Sequence, residues 1–509
     1  MLKILYNKTF LAIVSAVLMA LAFPKFNLSF LAWFCLVPLL VVLEGEDYIT
    51  SLRLGFTAGF VFYAITLYWV VETLRQYGAL SWPLSLLIGA LLMAYLAIYF
   101  GLFCGLTSFF NRYFYSFNIF LIASLWVALE YLRTYLLSGF PWNLLGYSQW
   151  NNLVVAQVSS FTGVYGVGFL IVLLNALVAK IISYAWQLSN RKQSVQSIQV
   201  VILIMSLSIG YGLVIMARDN MDNDRKPIKT AIIQANIPPD VKWLPDNKKN
   251  IMRQYQYFVD RLKNDLQEVI VFPETAIPGV LREEPDLLAG TREMAKSAKA
   301  SLLVGALDRQ GAKYYTSCFG VNAEGDIIGQ YDKTHLVPFG EIFPFRKYLE
   351  KFIPIVRDMG DFTPGDKLNL LKSPYSNYGV SICYEDIFPD LVRRLSKNGA
   401  EVLVNISIDS WYLNTSAPYQ HFYMNVFRAI ENRRWVIRST ASGISGYIDP
   451  YGSIYAQTEL FQPQVTVHMV TPLNKMSFYT KYGDLFAKGC SLIVILGYFG
   501  GLIRRKSNA

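Results

Sequence analysis

The chain has 509 residues, is 53% hydrophobic and 15% aromatic, and carries a formal net charge of +10. That apolar content excludes an ordinary soluble protein and points to membrane spans. The positive balance comes without a long basic run or zinc-finger spacing, so it reads as a surface facing anionic lipid headgroups and not as nucleic-acid binding.

Apolar residues crowd the chain before about residue 217 and again after about 485, and the middle is charged. A bilayer core takes roughly 20 apolar residues per helix. The expected spans are 9–24, 28–43, 54–74, 83–110, 117–137, 162–186, 198–217 and 486–503, about eight in all. Lys3 and Lys8 precede the first as they would in a signal peptide, but Ala22-Phe23-Pro24-Lys25 leads directly to another apolar run, so this span is expected to be retained. With the N-terminus in the cytoplasm, Lys3, Lys8, Arg53, Arg112, Arg191, Lys192 and Arg504-Arg505-Lys506 lie inside, and only Lys25 and Arg75 fall in short outer loops. An odd number of spans then places the middle region on the outer face. Within the outer segment SGFPWNLLGYSQWNN, Trp142 and its aromatic neighbours suit the headgroup zone, either as an interfacial loop or as a lipid contact. Glu130 and Arg133 are expected to pair or to face a polar cavity, because charge in lipid is costly.

From about 225 to 475 the pattern changes to short β-branched runs alternating with amphipathic stretches. TAIIQANI, VIVFPE, SLLVGAL, SICYE, EVLVNIS and WVIRST read as strands. NIMRQYQYFVDRLKNDL, DLLAGTREMAKSAKA, DIFPDLVRRLSKNG and PYQHFYMNVFRAIENR read as helices. Asn322 to Gly325 and Asp449 to Gly452 supply hairpin turns, so crossover units mix with antiparallel pairs. Of the five cysteines, only Cys318 and Cys383 lie in this polar middle, and a pairing between them stays open.

Three stretches carry possible chemistry, each at or just after a strand end: Glu274 in VIVFPETAIPG, Lys333 with Glu341 in GQYDKTHLVPFGE, and Cys383 in SICYEDIFPD. A thiol attacks as a thiolate, so Cys383 needs a base, and amides at a helix start would lower its pKa. A carboxylate can be that base, and a protonated lysine can stabilise the oxyanion that follows. Each residue has a plainer reading: the cysteine as core packing, the glutamate as a helix cap, Lys333 beside Asp332 as a surface pair. His335 and His421 could suggest a cysteine-histidine dyad, but neither sits in a local signature, and no metal-ligand cluster is evident.

The order Glu274, Lys333, Cys383 in these three motifs resembles the nitrilase superfamily, whose Glu-Lys-Cys triad lies on an α-β-β-α sandwich. Together with the apolar segments on both sides, the chain is similar to the apolipoprotein N-acyltransferase family over nearly its whole length. The resemblance implies a polytopic α-helical membrane domain over 1–220, a nitrilase-like catalytic domain over 221–480 on the periplasmic face of a bacterial inner membrane, and a C-terminal helix with a basic cytoplasmic tail over 481–509. It makes Cys383 the nucleophile, Glu274 the general base and Lys333 the stabiliser of the tetrahedral intermediate. Glu341, Tyr384, Glu385, Trp243 in QANIPPDVKW, and Trp142 follow as supporting or substrate-binding residues, with Asp386 left to serve the start of the next helix. The implied reaction moves an acyl chain from a phospholipid, phosphatidylethanolamine above all, to the N-terminal amine of a diacylated apolipoprotein, through a thioester and without metal or other cofactor. The alternatives are a membrane-tethered amidase of the nitrilase type and a non-catalytic assembly protein with a nitrilase-like domain. Tyr412-Leu413 departs from the Phe-Gly pair common in the family.

Overall fold

The computed structural model describes residues 7–114, 118–188, 194–217, 225–342 and 362–507. Of the basic residues used for orientation, Lys3, Arg191 and Lys192 lie outside the described residues. The chain divides into two compact units, one formed by Met1–Asp219 with Tyr482–Ala509, the other by Asn220–Lys481.

Among the described residues the first unit has six helices long and apolar enough to cross a membrane: Tyr48–Thr66, Trp82–Tyr113, Asn118–Ser138, Val164–Ala185, Val195–Ala217 and Leu485–Ser507. The first two expected spans fall short of this. Lys8–Leu21 has 14 residues, about 21 Å of helix, against a hydrocarbon core of about 30 Å. The second divides into a 3-10 turn, Ser29–Trp33, and the six-residue helix Val37–Val42. The expected span 54–74 is broken at Leu67, between Tyr48–Thr66 and Tyr68–Gln76. Helices Val195–Ala217 and Leu485–Ser507 leave Ile202, Leu203, Leu207, Leu492, Leu496 and Phe499 exposed, the kind of surface that hydrocarbon covers.

Glu130 and Arg133 are both buried and are spent on the backbone of the segment that follows their helix. Glu130 Oε1 accepts from Leu145 N at 2.7 Å, and Arg133 Nη1 donates to the carbonyls of Phe140 at 3.1 Å and Trp142 at 2.9 Å. Irregular backbone away from water needs such partners. Trp142 is fully buried, its ring 5.0 Å from that of Trp69, so the structure places it inside this unit and not on its surface.

The second unit contains two six-stranded sheets. The strands are β1 (Ile228–Gln234), β2 (Val269–Val271), β3 (Ser301–Gln310), β4 (Lys313–Val321), β5 (Ile327–Asp332), β6 (Leu371–Lys372), β7 (Asn377–Ile382), β8 (Val402–Ser407), β9 (Val436–Thr440), β10 (Gly446–Ile448), β11 (Ile454–Tyr455) and β12 (Gln464–Val470). Their orders are β12-β1-β2-β3-β4-β5 and β11-β10-β9-β8-β7-β6. In each sheet three central strands run parallel, β1-β2-β3 and β7-β8-β9, with antiparallel strands outside them. Parallel neighbours need crossovers, and the amphipathic helices supply them. In Lys248–Leu262 the buried residues Ile251, Tyr255, Phe258, Val259 and Leu262 recur at helical spacing and pack with helix Pro285–Ala298 over the first sheet. Helices Pro389–Lys397 and Ala417–Asn432 cover the second. The sheets meet face to face, where Tyr447 OH donates to the Thr230 carbonyl at 2.8 Å and Ser439 Oγ to that of Val271 at 3.3 Å. The result is an α-β-β-α sandwich, with the expected strands, helices and both hairpin turns in place.

Candidate active site

Glu274 leaves β2 through Phe272 and Pro273, and its loop lies directly on β3, where Ile277 N donates to the Gly305 carbonyl at 3.1 Å. Glycine is required at 305, because a Cβ there would collide with the Pro273 carbonyl, the Thr275 nitrogen and Glu274 Cα. Thr275, the next residue, takes φ +44°. Lys333 follows β5, 1% exposed, with its Nζ 2.7 Å from Glu341 Oε1 and 3.4 Å from Glu274 Oε1. Glu341 is fixed in turn by accepting from Val337 N at 2.8 Å. Cys383 follows β7 directly and opens a 3-10 turn, Cys383–Ile387, at φ +52°, a left-handed conformation that costs a non-glycine residue about 1–3 kcal/mol. Its carbonyl accepts from Asn405 Nδ2 of β8 at 3.3 Å.

Burial sets the protonation states. It pushes the Cys383 thiol well above the ordinary cysteine range, Glu274 adds to the rise, and Lys333 opposes it. The helix-start lowering expected from sequence is therefore outweighed, and the thiol holds its proton until a base takes it. Burial also raises Glu274, with Lys333 pulling the other way and Glu341 reinforcing the rise. For Lys333 burial works against the charge, yet Glu341, Glu274 and Cys383 together hold the ammonium above the usual lysine range. A protonated thiol, a basic carboxylate and a permanent ammonium thus share one buried place. His335 is pushed down to about 4 by burial and by Lys333, so it stays neutral near pH 7.

Glu385 joins the two halves of the site. It is fully buried and accepts from Ile382 N at 2.7 Å, Thr334 N at 2.7 Å, Thr334 Oγ1 at 2.9 Å, His335 N at 3.0 Å and Tyr331 OH at 2.9 Å. One carboxylate thereby ties the segment after Lys333 to the strand before Cys383. Tyr384 is buried with its ring 5.2 Å from Phe388. Trp243, beside the site through its neighbour Lys242, is 45% exposed.

Asp386 departs from its expected place at the start of helix Pro389–Lys397. It turns inward to His421 Nε2 at 2.7 Å, Asn425 Nδ2 at 2.6 Å and Arg438 Nη1 at 2.7 Å. Arg438 Nη2 also donates to Asp409 at 2.9 Å, His421 Nδ1 lies 3.1 Å from Asp409, and Ser407 Oγ donates to Asp409 at 2.8 Å. Arg438 further bonds Asn405, which holds the Cys383 carbonyl. Sequence reading missed this cluster, although an arginine inside the buried strand WVIRST and an aspartate just after EVLVNIS both imply an internal partner. Cys318 and Cys383 are separate free thiols.

A two-sheet sandwich with carboxylate, ammonium and thiol gathered at its strand ends is the architecture of a nitrilase-type domain, and residues 229–472 match the Carbon-nitrogen hydrolase family. Residues 15–177 match the Apolipoprotein N-acyltransferase N-terminal domain. The chain is 37% identical over 492 residues to an apolipoprotein N-acyltransferase of Geobacter metallireducens, covering 94% of this chain and 92% of that protein. A second, from Methylococcus capsulatus, is 30% identical over 98% of this chain and 96% of its own length. The chain belongs to the apolipoprotein N-acyltransferase family. Among solved structures, Saccharomyces cerevisiae Nit3, of the nitrilase superfamily, aligns with 48% of this chain and 91% of its own at 21% identity and a TM-score of 0.38. An amidase from Nesterenkonia aligns with 52% of this chain and 96% of its own at 15% identity and a TM-score of 0.39.

Proposed function

We propose that this chain transfers a fatty acyl group from a membrane phospholipid to the N-terminal amine of a diacylated apolipoprotein, through a thioester on Cys383. The observation that carries the mechanism is the buried ammonium of Lys333 between Glu274 and Glu341, in electrostatic reach of the thiol. Glu274 takes the Cys383 proton as sulfur attacks the ester carbonyl, and Lys333 stabilises the oxyanion. The carbon-oxygen bond then breaks, Glu274 returns the proton to the departing glyceryl oxygen, and lysophospholipid leaves. In the second half the acceptor nitrogen attacks the thioester, the carbon-sulfur bond breaks, and the amine proton passes by way of Glu274 to the thiolate. A thioester has enough transfer potential to form an amide, so these steps call on no cofactor.

A multi-pass membrane protein suits this substrate, because lifting an acyl chain into water costs about 0.8 kcal/mol per methylene. In this reading phosphatidylethanolamine is the donor, the second unit faces the periplasm, and the basic residues Lys8, Arg53, Arg112 and Arg504-Arg505-Lys506 mark the cytoplasmic side of the inner membrane. Protein in vesicles with labelled phosphatidylethanolamine and a diacylated peptide should yield N-acyl peptide and lysophospholipid, with the label on Cys383 when the peptide is omitted. Cys383→Ala should abolish both products while still folding. Free fatty acid in place of N-acyl peptide would identify a hydrolase instead.

A further inference from the structure

Lys242 ends the short helix Pro239–Lys242 that follows β1, and it is only 4% exposed. An ammonium so far from water requires partners. Its Nζ donates to Thr275 Oγ1 at 2.6 Å and to the Glu274 carbonyl at 3.4 Å, and lies 5.5 Å from the centre of the Trp243 ring. One side chain therefore spans from an exposed indole to the backbone corner that carries the base. The corner itself is unusual, since Thr275 holds φ +44° with Gly305 packed directly beneath it. A left-handed threonine persists only where its surroundings over-determine it, and Lys242 adds to that restraint through its bond to Thr275 Oγ1.

We propose that Lys242 is a positioning residue for the general base: by gripping Thr275 Oγ1 and the Glu274 carbonyl, it fixes the direction in which the Glu274 carboxylate points. The inference rests on Glu274 being the base of the acylation step. Among the described residues, the charged groups acting on Glu274 are Lys333, Glu341 and Lys242, with the Cys383 thiol also in electrostatic reach. Lys242 is brought down to about 7 by burial, against the pull of Glu274, so it is charged through the acidic range. Removing it takes away one of two cations near a carboxylate that burial already raises. The acid limb of the pH-rate profile, which reports ionisation of Glu274, should then move to higher pH.

The experiment uses the full chain in phosphatidylethanolamine vesicles and follows acylation of Cys383 by mass from pH 5 to 9. Lys242→Met should slow acylation about 10- to 100-fold, as expected for a base swung about 1 Å out of line, and displace the acid limb upward. Lys242→Arg keeps the cation and should return the limb to its wild-type position. Thr275→Val removes the gripped hydroxyl and should slow acylation, while Thr275→Ser should restore it. A Lys242→Met protein with an unmoved acid limb, whether slow or fast, would overturn the inference, because a packing role shifts no titration. Failure of the wild-type chain to label Cys383 would instead strike the acyl-transfer reading itself.

Discussion

Two charged clusters stand near Cys383: in the first, Lys333 meets Glu274 and Glu341; in the second, Asp386 and Asp409 are met by His421 and Arg438. Both clusters are buried, yet they differ in charge balance and in hydrogen bonding. In the second cluster two carboxylates face an arginine and a histidine. Burial pushes Asp409 up, but Arg438 and His421 more than reverse this and hold it below the ordinary aspartate range. In the first, Lys333 contacts both carboxylates, and its contact with Glu274 is the longer one, 3.4 Å against 2.7 Å to Glu341. Between the two clusters, Glu274 is the carboxylate whose affinity for a proton rises, burial being the largest cause and Lys333 opposing it. For Asp409 the cationic partners outweigh burial, and for Glu274 burial outweighs them.

The largest expected effect comes from removing the carboxylate of Glu274. Glu274→Gln should reduce acylation of Cys383 by about 10²- to 10⁴-fold, measured by acyl-enzyme mass, with thermal unfolding little changed. In the wild type the same comparison sets the pH dependence: acylation should fall as pH drops through the raised value of Glu274, since only its ionised form accepts the proton.

Breaking the second cluster should act on stability instead. Asp409→Asn leaves Arg438 and His421 short of a buried partner and should cost about 3–5 kcal/mol in denaturant unfolding. Because the folded Asp409 lies below its unfolded value near ~3.9, its contribution is present above that pH and is lost as pH falls through the folded value. An Asp409→Asn protein of wild-type stability but without activity would erase the distinction drawn between the two clusters.

Glu385 tests a middle case, structural in its bonds but two residues from Cys383. Glu385→Gln keeps the shape and loses acceptor strength for Thr334, His335 and Ile382, so about 1–3 kcal/mol of stability should go, with a partial loss of acylation. The smallest effect is expected at Leu413, which holds φ +53°. Glycine there should relieve about 1–2 kcal/mol of left-handed strain against about 0.5–1 kcal/mol of added chain entropy, a slight net stabilisation visible in thermal unfolding.

The parts legible in the sequence were those whose signal is local. Strands and helices of the second unit announced themselves by periodicity, and Glu274, Lys333 and Cys383 by each following a strand, which the folded structure gathers into one place. What was illegible depends on distant residues meeting. Asp386 looked like a helix-start acid because its partners His421, Asn425 and Arg438 lie on a later helix and strand. Lys242, inside QANIPPDVKW, drew no reading of its own, because its partner Thr275 lies over thirty residues away. The spans were partly legible for another reason: composition gives apolar length but not the breaks at Leu67 and between Ser29–Trp33 and Val37–Val42.

The pairing of β1 with β12 joins the first and last strands of the second unit, Ile228 opposite Val470. During synthesis β1 has no neighbour on that side until nearly the whole unit has emerged. The first sheet therefore closes last, just before the final apolar helix Leu485–Ser507 is made. Until then β1 presents an open edge to any other extended chain nearby. A chain stopped short of Gln464 would keep every residue of the candidate triad and still lack the strand that seals its sheet.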